Sequence, residues 1–314
     1  MLALSGVLPF IFVEGKIQSS GFSYGPGVEE HAHGAKTGVE CSPIPRFYRS
    51  PISVWEGSDM AKTMTFATPA SAAKITEGRI NADRLFYVVA AGMMLIFTAG
   101  GFRNFYLHGR APWGEMTNQI VPLVVAHGLA MSGWVILFLV QSSLILTGRR
   151  RLHLVIGPFG GVLAAAIVIL GSTVAPLSVR FSPQVYAPLG GPRPFLAMMF
   201  VQMLSFGTLV GIGLVYRRRP EIHRPMMLLA TIVIQSGALG RFPYIENLSA
   251  FPPLYVWGPV LLFGGLLFVL QWGMSRTPNR WYLMGYAGMV MASLMSVAVG
   301  HTALWNRIVS TFVP

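Results

Sequence analysis

Beyond residue 84 the chain is a succession of long apolar runs separated by short polar interruptions. The stretch His127–Gly161, HGLAMSGWVILFLVQSSLILTGRRRLHLVIGPFGG, shows the repeating unit. One long apolar run meets a turn of Gly148 and three arginines, and a second run follows. A helix needs about 20 predominantly apolar residues to cross a bilayer. Seven runs reach that length, at 85–102, 120–147, 153–176, 195–216, 225–245, 255–274 and 281–303. The pattern predicts an all-α, polytopic transmembrane bundle of seven helices spanning 85–305.

The interruptions are of two alternating kinds. One kind is strongly basic: Arg149-Arg150-Arg151, then Arg217-Arg218-Arg219 with Arg224, then Arg276 and Arg280. The other is longer and richer in Pro, Gly and aromatics, as in HGRAPWGEMTNQ. Basic turns favour the cytoplasmic side, which predicts an amino terminus inside and a carboxyl terminus outside. Trp113, Tyr186, Tyr244, Tyr255, Trp257, Trp272, Trp281 and Trp305 fall near predicted helix ends, as an interfacial aromatic belt requires. RRRLH at 149–153 and RRRPEIH at 217–223 echo each other, either as a trace of duplication or as what any basic hairpin turn looks like. Gly157 with Gly161 and Gly207 with Gly211 permit close helix contact, and Pro158, Pro243 and Pro259 are expected to kink or end helices.

Composition agrees with a membrane protein. Of 314 residues, 53% are hydrophobic and 11% charged, where soluble domains carry about a quarter charged. A net charge of +12 would suit a nucleic-acid partner, yet the basic residues sit in the turns, with no nucleic-acid-binding fold around them. The expected partner is the lipid bilayer of a bacterial inner (plasma) membrane. Cys41 is the single cysteine, which excludes an intrachain disulfide framework and a cysteine metal cluster. None of the eleven acidic residues falls inside an apolar run, which weighs against a proton-driven pump.

The first 59 residues mix Gly, Pro, Ser and acids without periodicity and read as a disordered tail or a mis-annotated N-terminal extension. Their short apolar opening is a poor signal peptide. Residues 60–84 read as a polar cytoplasmic segment and 306–314 as a short tail. Soluble-enzyme motifs such as GxGxxG and HExxH are missing, so catalytic residues stay unassigned.

Polar groups inside apolar runs carry the functional expectations. At 1.5 Å per residue they sort by depth into two layers. The outer layer holds His127, His301 and Arg241; the inner layer holds His153 and His223 beside several arginines. Trp134 and Gln141 follow His127 at steps of seven, on one helix face. Two histidine layers would suit a b-type haem in each, with axial imidazoles from two helices and arginines balancing the propionates. Bland alternatives stand beside this: His153, His223 and His301 as interfacial side chains, and His127 as a satisfied core histidine. The first site expectation is His127 with Trp134 and Gln141, completed by His301 and Arg241. A bare metal ion is unassigned.

At His127–Gly161 and at HRPMMLLAT (223–231), the chain resembles bacterial multi-pass membrane proteins of unassigned function. In these, a histidine helix bearing Trp and Gln leads to an arginine turn and a histidine, and a later His-Arg opens a helix. The resemblance covers roughly residues 85–305. More distantly, the chain is similar to transmembrane b cytochromes of the ascorbate and ferric reductase type, which hold two haems between histidines on neighbouring helices. That similarity implies a haem pair at His153 and His223. Two function classes follow: a redox protein binding haem or a metal through its histidines, and a non-enzymatic transporter, sensor or assembly factor.

Overall fold

The apolar runs fold as helices whose bounds are set by prolines, glycines and arginine turns. The computed structural model describes residues 69–108, 119–181, 186, 190–242, 245 and 247–311. Two compact units divide the chain, Met1–Met64 and Thr65–Pro314, and every described residue belongs to the second. The expectations for residues 1–59, and those for Cys41, Trp113, Pro243 and Tyr244, lie outside the described residues.

Seven helices are long and apolar enough to cross a membrane. They are α1 (Pro69–Gly101), α3 (Val121–Leu146), α4 (Arg150–Phe181), α5 (Pro192–Val215), α6 (Pro220–Val233) continued by α7 (Ser236–Leu239), α8 (Pro252–Ser275) and α9 (Arg280–Gly300). Short helices α2 (Arg103–His108) and α10 (Ala303–Ser310) and the 3₁₀ turn Asn247–Ala250 complete the described elements, among which there is no strand. Prolines at the first helical positions start α3, α5, α6 and α8, where a missing N–H costs nothing. Gly148 (φ 77°) supplies the left-handed residue that the α3–α4 turn requires.

The all-α bundle of seven spans is as the hydrophobic pattern predicts, with four local differences. Helix α1 begins at Pro69, so Asp83 and Arg84 sit within a helix rather than in a polar lead-in. Helix α4 has 32 residues with Pro158 and Pro176 inside it, and the tail after His301 forms α10. The fourth difference is in the fifth span. The run 225–245 is not one helix, because α6 stops at Val233 and α7 starts at Ser236.

That fifth span is the centre of the bundle. Of its apolar window 78% is buried, against at most 44% in any other span. Packing contacts join α1–α3–α4–α5–α9–α8 and back to α1, and α6 touches α1, α3, α5, α8 and α9 within this ring. Exposed large side chains such as Ile96, Val162, Leu204, Leu262 and Leu294 point outward, as a lipid-facing surface requires. Close approaches use small residues: Gly207 of α5 lies against Val168, and Gly161 of α4 against Leu214.

Breaking a central helix leaves backbone groups that lipid cannot satisfy. Side chains answer this. Gln202 of α5, 3% exposed, donates through Nε2 to the Val233 carbonyl (2.8 Å) and to Ser236 Oγ (2.6 Å). From α1, the Thr98 hydroxyl donates toward Gln235 Oε1 (3.2 Å) and the Met94 carbonyl (2.9 Å). Gly101 lets α1 close on α7, since a Cβ there would collide with the Ala238 carbonyl.

Candidate ligand-binding site

At the arginine-bearing end, α1, α3, α4, α5 and α6 enclose a cavity of about 500 Å³. This is within the range of about 300–1,000 Å³ that small-molecule sites occupy. Its depth follows α3, from buried Trp134 up to Ile145, about 16 Å along the helix axis. Gly157 and Gly160 of α4 give the wall its room, having no side chain to fill it. The deep part is lined by Trp134, Leu137, Phe138, Leu214 and Met227. Arg150, Arg217 and Arg218 are exposed around the opposite end, while Arg84 and Arg224 are half-buried. No acidic residue lines it among the described residues.

Arg150, Arg217, Arg218 and Arg224 come from helix ends and turns, where the chain reverses, and Arg84 comes from within α1. Arg224, in the first turn of α6, pairs with Asp83 of α1 at 2.6 Å and so ties the central helix to the first span. Arg84 is the next residue of α1, and its Nε is buried without a hydrogen-bond partner. Trp134 is fixed by its indole N–H on Thr231 Oγ1 (3.1 Å) and by an edge contact with Phe206, ring centres 5.1 Å apart. Tyr87 accepts from Gln271 Nε2 at 3.0 Å.

Two histidines face one another in this cavity. The rings of His153 (α4) and His223 (α6) have centres 6.3 Å apart and planes at 85°. His223 is held from α5. The Gly213 carbonyl lies in the last turn of α5, where backbone acceptors lack intrahelical donors. His223 Nδ1 donates to it at 2.7 Å. A carbonyl only accepts, so Nδ1 carries the hydrogen and the neutral ring keeps its lone pair on Nε2. Gly213 permits the approach, because a Cβ there would meet Met227 Sδ at 2.8 Å. The Gln141 backbone carbonyl lies beside the His153 ring, whose Nδ1 is buried with no hydrogen bond made.

The expected site residues therefore separate. His153 and His223 are brought together as the inner pair, and Trp134 and Gln141 join them in the cavity. His127 does not line it; its ring lies against Gly171 of α4 beside Met203 of α5, with Nδ1 buried and unpartnered. Arg241 lies over the Phe102 ring at 4.2 Å and donates to the Gly237 carbonyl. Burial pushes its guanidinium below the usual arginine range, against the opposing influence of Tyr255 and Tyr106. His301 is exposed at the end of α9. Each of these three has its own neighbourhood.

Sequence reasoning passed over Arg84 and Tyr87. The charged pair Asp83-Arg84 at the mouth of the first apolar run was the signal. Among the described residues no group of three or more His, Cys, Asp or Glu side chains is placed to hold a metal ion.

No family model, no curated protein and no solved structure matches this chain. The comparisons show neither the bacterial membrane family nor the b cytochromes that the sequence resembles, so function rests on the cavity.

Proposed function

We propose that this is a bacterial inner-membrane protein whose activity runs through binding an anionic amphiphile in the arginine-end cavity. It belongs to the sensor, transport or assembly class rather than to the soluble-enzyme classes. One observation carries the reading: three buried polar atoms without partners, Arg84 Nε, Gln141 Oε1 and His153 Nδ1, all belong to residues lining one basic, otherwise apolar cavity. An unpaired buried polar group costs about 1–3 kcal/mol, so three such groups from three helices around one cavity favour a ligand that meets them. The Gln141 amide can turn end for end and present its NH₂, so it serves an acceptor as well. Five arginines with one paired carboxylate select negative charge, and the guanidinium fork fits carboxylate or phosphate. The apolar floor selects an apolar body.

In dodecyl maltoside, added dodecyl phosphate is expected to raise the unfolding midpoint, and salt to weaken the effect. At a hundred times its Kd a ligand stabilises by about 2.7 kcal/mol. The Arg217→Ala/Arg218→Ala variant is expected to lose much of this. Equal stabilisation by an uncharged dodecyl alcohol, or an undiminished response in that variant, overturns the reading.

The preference of basic turns for the cytoplasm supports an orientation with the cavity on the cytoplasmic side and the carboxyl terminus outside. A phosphatase reporter fused after Pro314 is expected to be active and one fused after Arg150 silent. The opposite pattern reverses the orientation.

A further inference from the structure

We infer that the ligand's head group is a phosphate monoester, selected over a carboxylate or a phosphodiester by the His223 ring. The inference rests on the cavity's being an anionic-amphiphile site and names the chemistry of the head. Arginines only donate hydrogen bonds, so Arg84, Arg150, Arg217 and Arg218 suit any anion that brings acceptors. They draw negative charge without telling one acid from another. An acceptor on the cavity wall makes that distinction, because it calls for a head that still carries a hydrogen.

His223 is the acceptor whose role is fixed. Its Nδ1 donates to the Gly213 carbonyl at 2.7 Å, so the nitrogen left for a ligand is Nε2, with its lone pair. Five arginines line the cavity and no acidic side chain does among the described residues, which disfavours a second proton on the ring. The other polar groups of the wall are less constrained. The Gln141 amide can present either end, and no hydrogen bond fixes His153 Nδ1 as donor or acceptor. Both adapt to whatever head His223 admits.

A carboxylate or a phosphodiester anion has acceptors only, and would set a lone pair against Nε2. A phosphate monoester keeps one ionisable O–H, with a second pKa of about 6. It donates that hydrogen to Nε2 while its remaining oxygens accept from the arginine forks. The apolar part of the ligand fits a membrane lipid. From Ile145 at the head level to Trp134 at the floor is about 16 Å along α3. That is close to half of the hydrocarbon thickness of a bilayer, which is about 30 Å. A lipid phosphate monoester therefore sits in the cavity at the depth it holds in its own leaflet.

The test compares dodecyl phosphate, the diester methyl dodecyl phosphate and chainless glycerol phosphate on the purified full chain in dodecyl maltoside. Binding is read from the unfolding midpoint at pH 6, where about half of a phosphate monoester carries its second proton. Dodecyl phosphate is expected to bind about tenfold more tightly than the diester, as one hydrogen bond to a charged group warrants. Glycerol phosphate is expected to bind far more weakly than either. In His223→Asn the amide NH₂ can replace Nδ1 on the Gly213 carbonyl, but nothing replaces Nε2. That variant is expected to bind the two dodecyl esters equally, and His223→Ala to do the same. The ligand-free unfolding midpoint shows each variant to be folded. Arg217→Ala/Arg218→Ala is expected to weaken both esters and leave their ratio. Equal affinity for the two esters in the unsubstituted chain, or a preference that survives in either folded His223 variant, overturns selection by His223 while leaving the anionic-amphiphile reading standing. Failure of both dodecyl esters to bind, or glycerol phosphate binding as tightly as dodecyl phosphate, overturns both.

Discussion

The central span has two ends built on opposite principles. Where α6 begins, helices part around a cavity, arginines gather, and buried polar atoms lack partners. Where α6 breaks into α7, helices close, Gly101 removes even a methyl from the contact, and Gln202, Thr98, Gln235 and Ser236 bond to one another and to backbone. Both regions bury polar side chains, which are costly in lipid unless paired. The satisfied cluster at the break is explained without a ligand. The unsatisfied one at the mouth is not. Polar residues in a membrane bundle thus point to a ligand when their hydrogen bonds fail to close and they also border a cavity.

The largest effect on stability is expected at the closed end. Gln202→Leu removes the donor to both the Val233 carbonyl and Ser236 Oγ. A buried group left unpaired costs about 1–3 kcal/mol, and this substitution affects two. The unfolding midpoint in detergent is expected to fall sharply, while dodecyl phosphate still adds its full stabilisation. A variant of unchanged stability, or one that keeps its stability and loses only the ligand response, would erase the distinction between the two ends.

At the open end the expected signs reverse. Arg84→Met removes a buried guanidinium nitrogen that has no partner, so the ligand-free protein is expected to hold its stability or gain slightly. Hydrogen bonds to charged groups contribute about 1.5–3 kcal/mol, and the variant is expected to lose that much dodecyl phosphate affinity. Titration followed by the unfolding midpoint reads both quantities. A large loss of stability without ligand would make Arg84 a structural residue of the same kind as Gln202.

The seven spans were legible because hydropathy records how far a run must travel through lipid. The inner histidine pair was legible because His153 and His223 each follow an arginine turn within four residues, and a short distance from turns on one side means similar depth. Two features were not. The break at Ile234–Gln235 has no proline to announce it, and its support comes from Gln202 and Thr98 on other helices. Trp134 and Gln141 were grouped with His127 because steps of seven keep a helix face, drifting only about 20° per heptad. A shared face is not a shared site. His127 and Gln141 stand fourteen residues apart, about 21 Å along the axis, which separates the two neighbourhoods.

The smallest effect is expected at His127, and it sharpens the comparison most finely. Its Nδ1 is buried and unpartnered, as Arg84 Nε is, yet its surroundings differ. The ring lies beside Gly171 and Met203. It does not line the cavity that holds the arginines, so an anion has nothing there to draw it. Burying a neutral imidazole with an open nitrogen costs free energy that a leucine of similar bulk avoids. His127→Leu is therefore expected to change the unfolding midpoint little or raise it, leaving dodecyl phosphate stabilisation as in the unsubstituted chain. Suppose instead that His127→Leu abolishes the response to dodecyl phosphate. Then an unpaired nitrogen marks a site here as well, with Met203 as its neighbour across the helices, and the bundle carries functional chemistry at two depths.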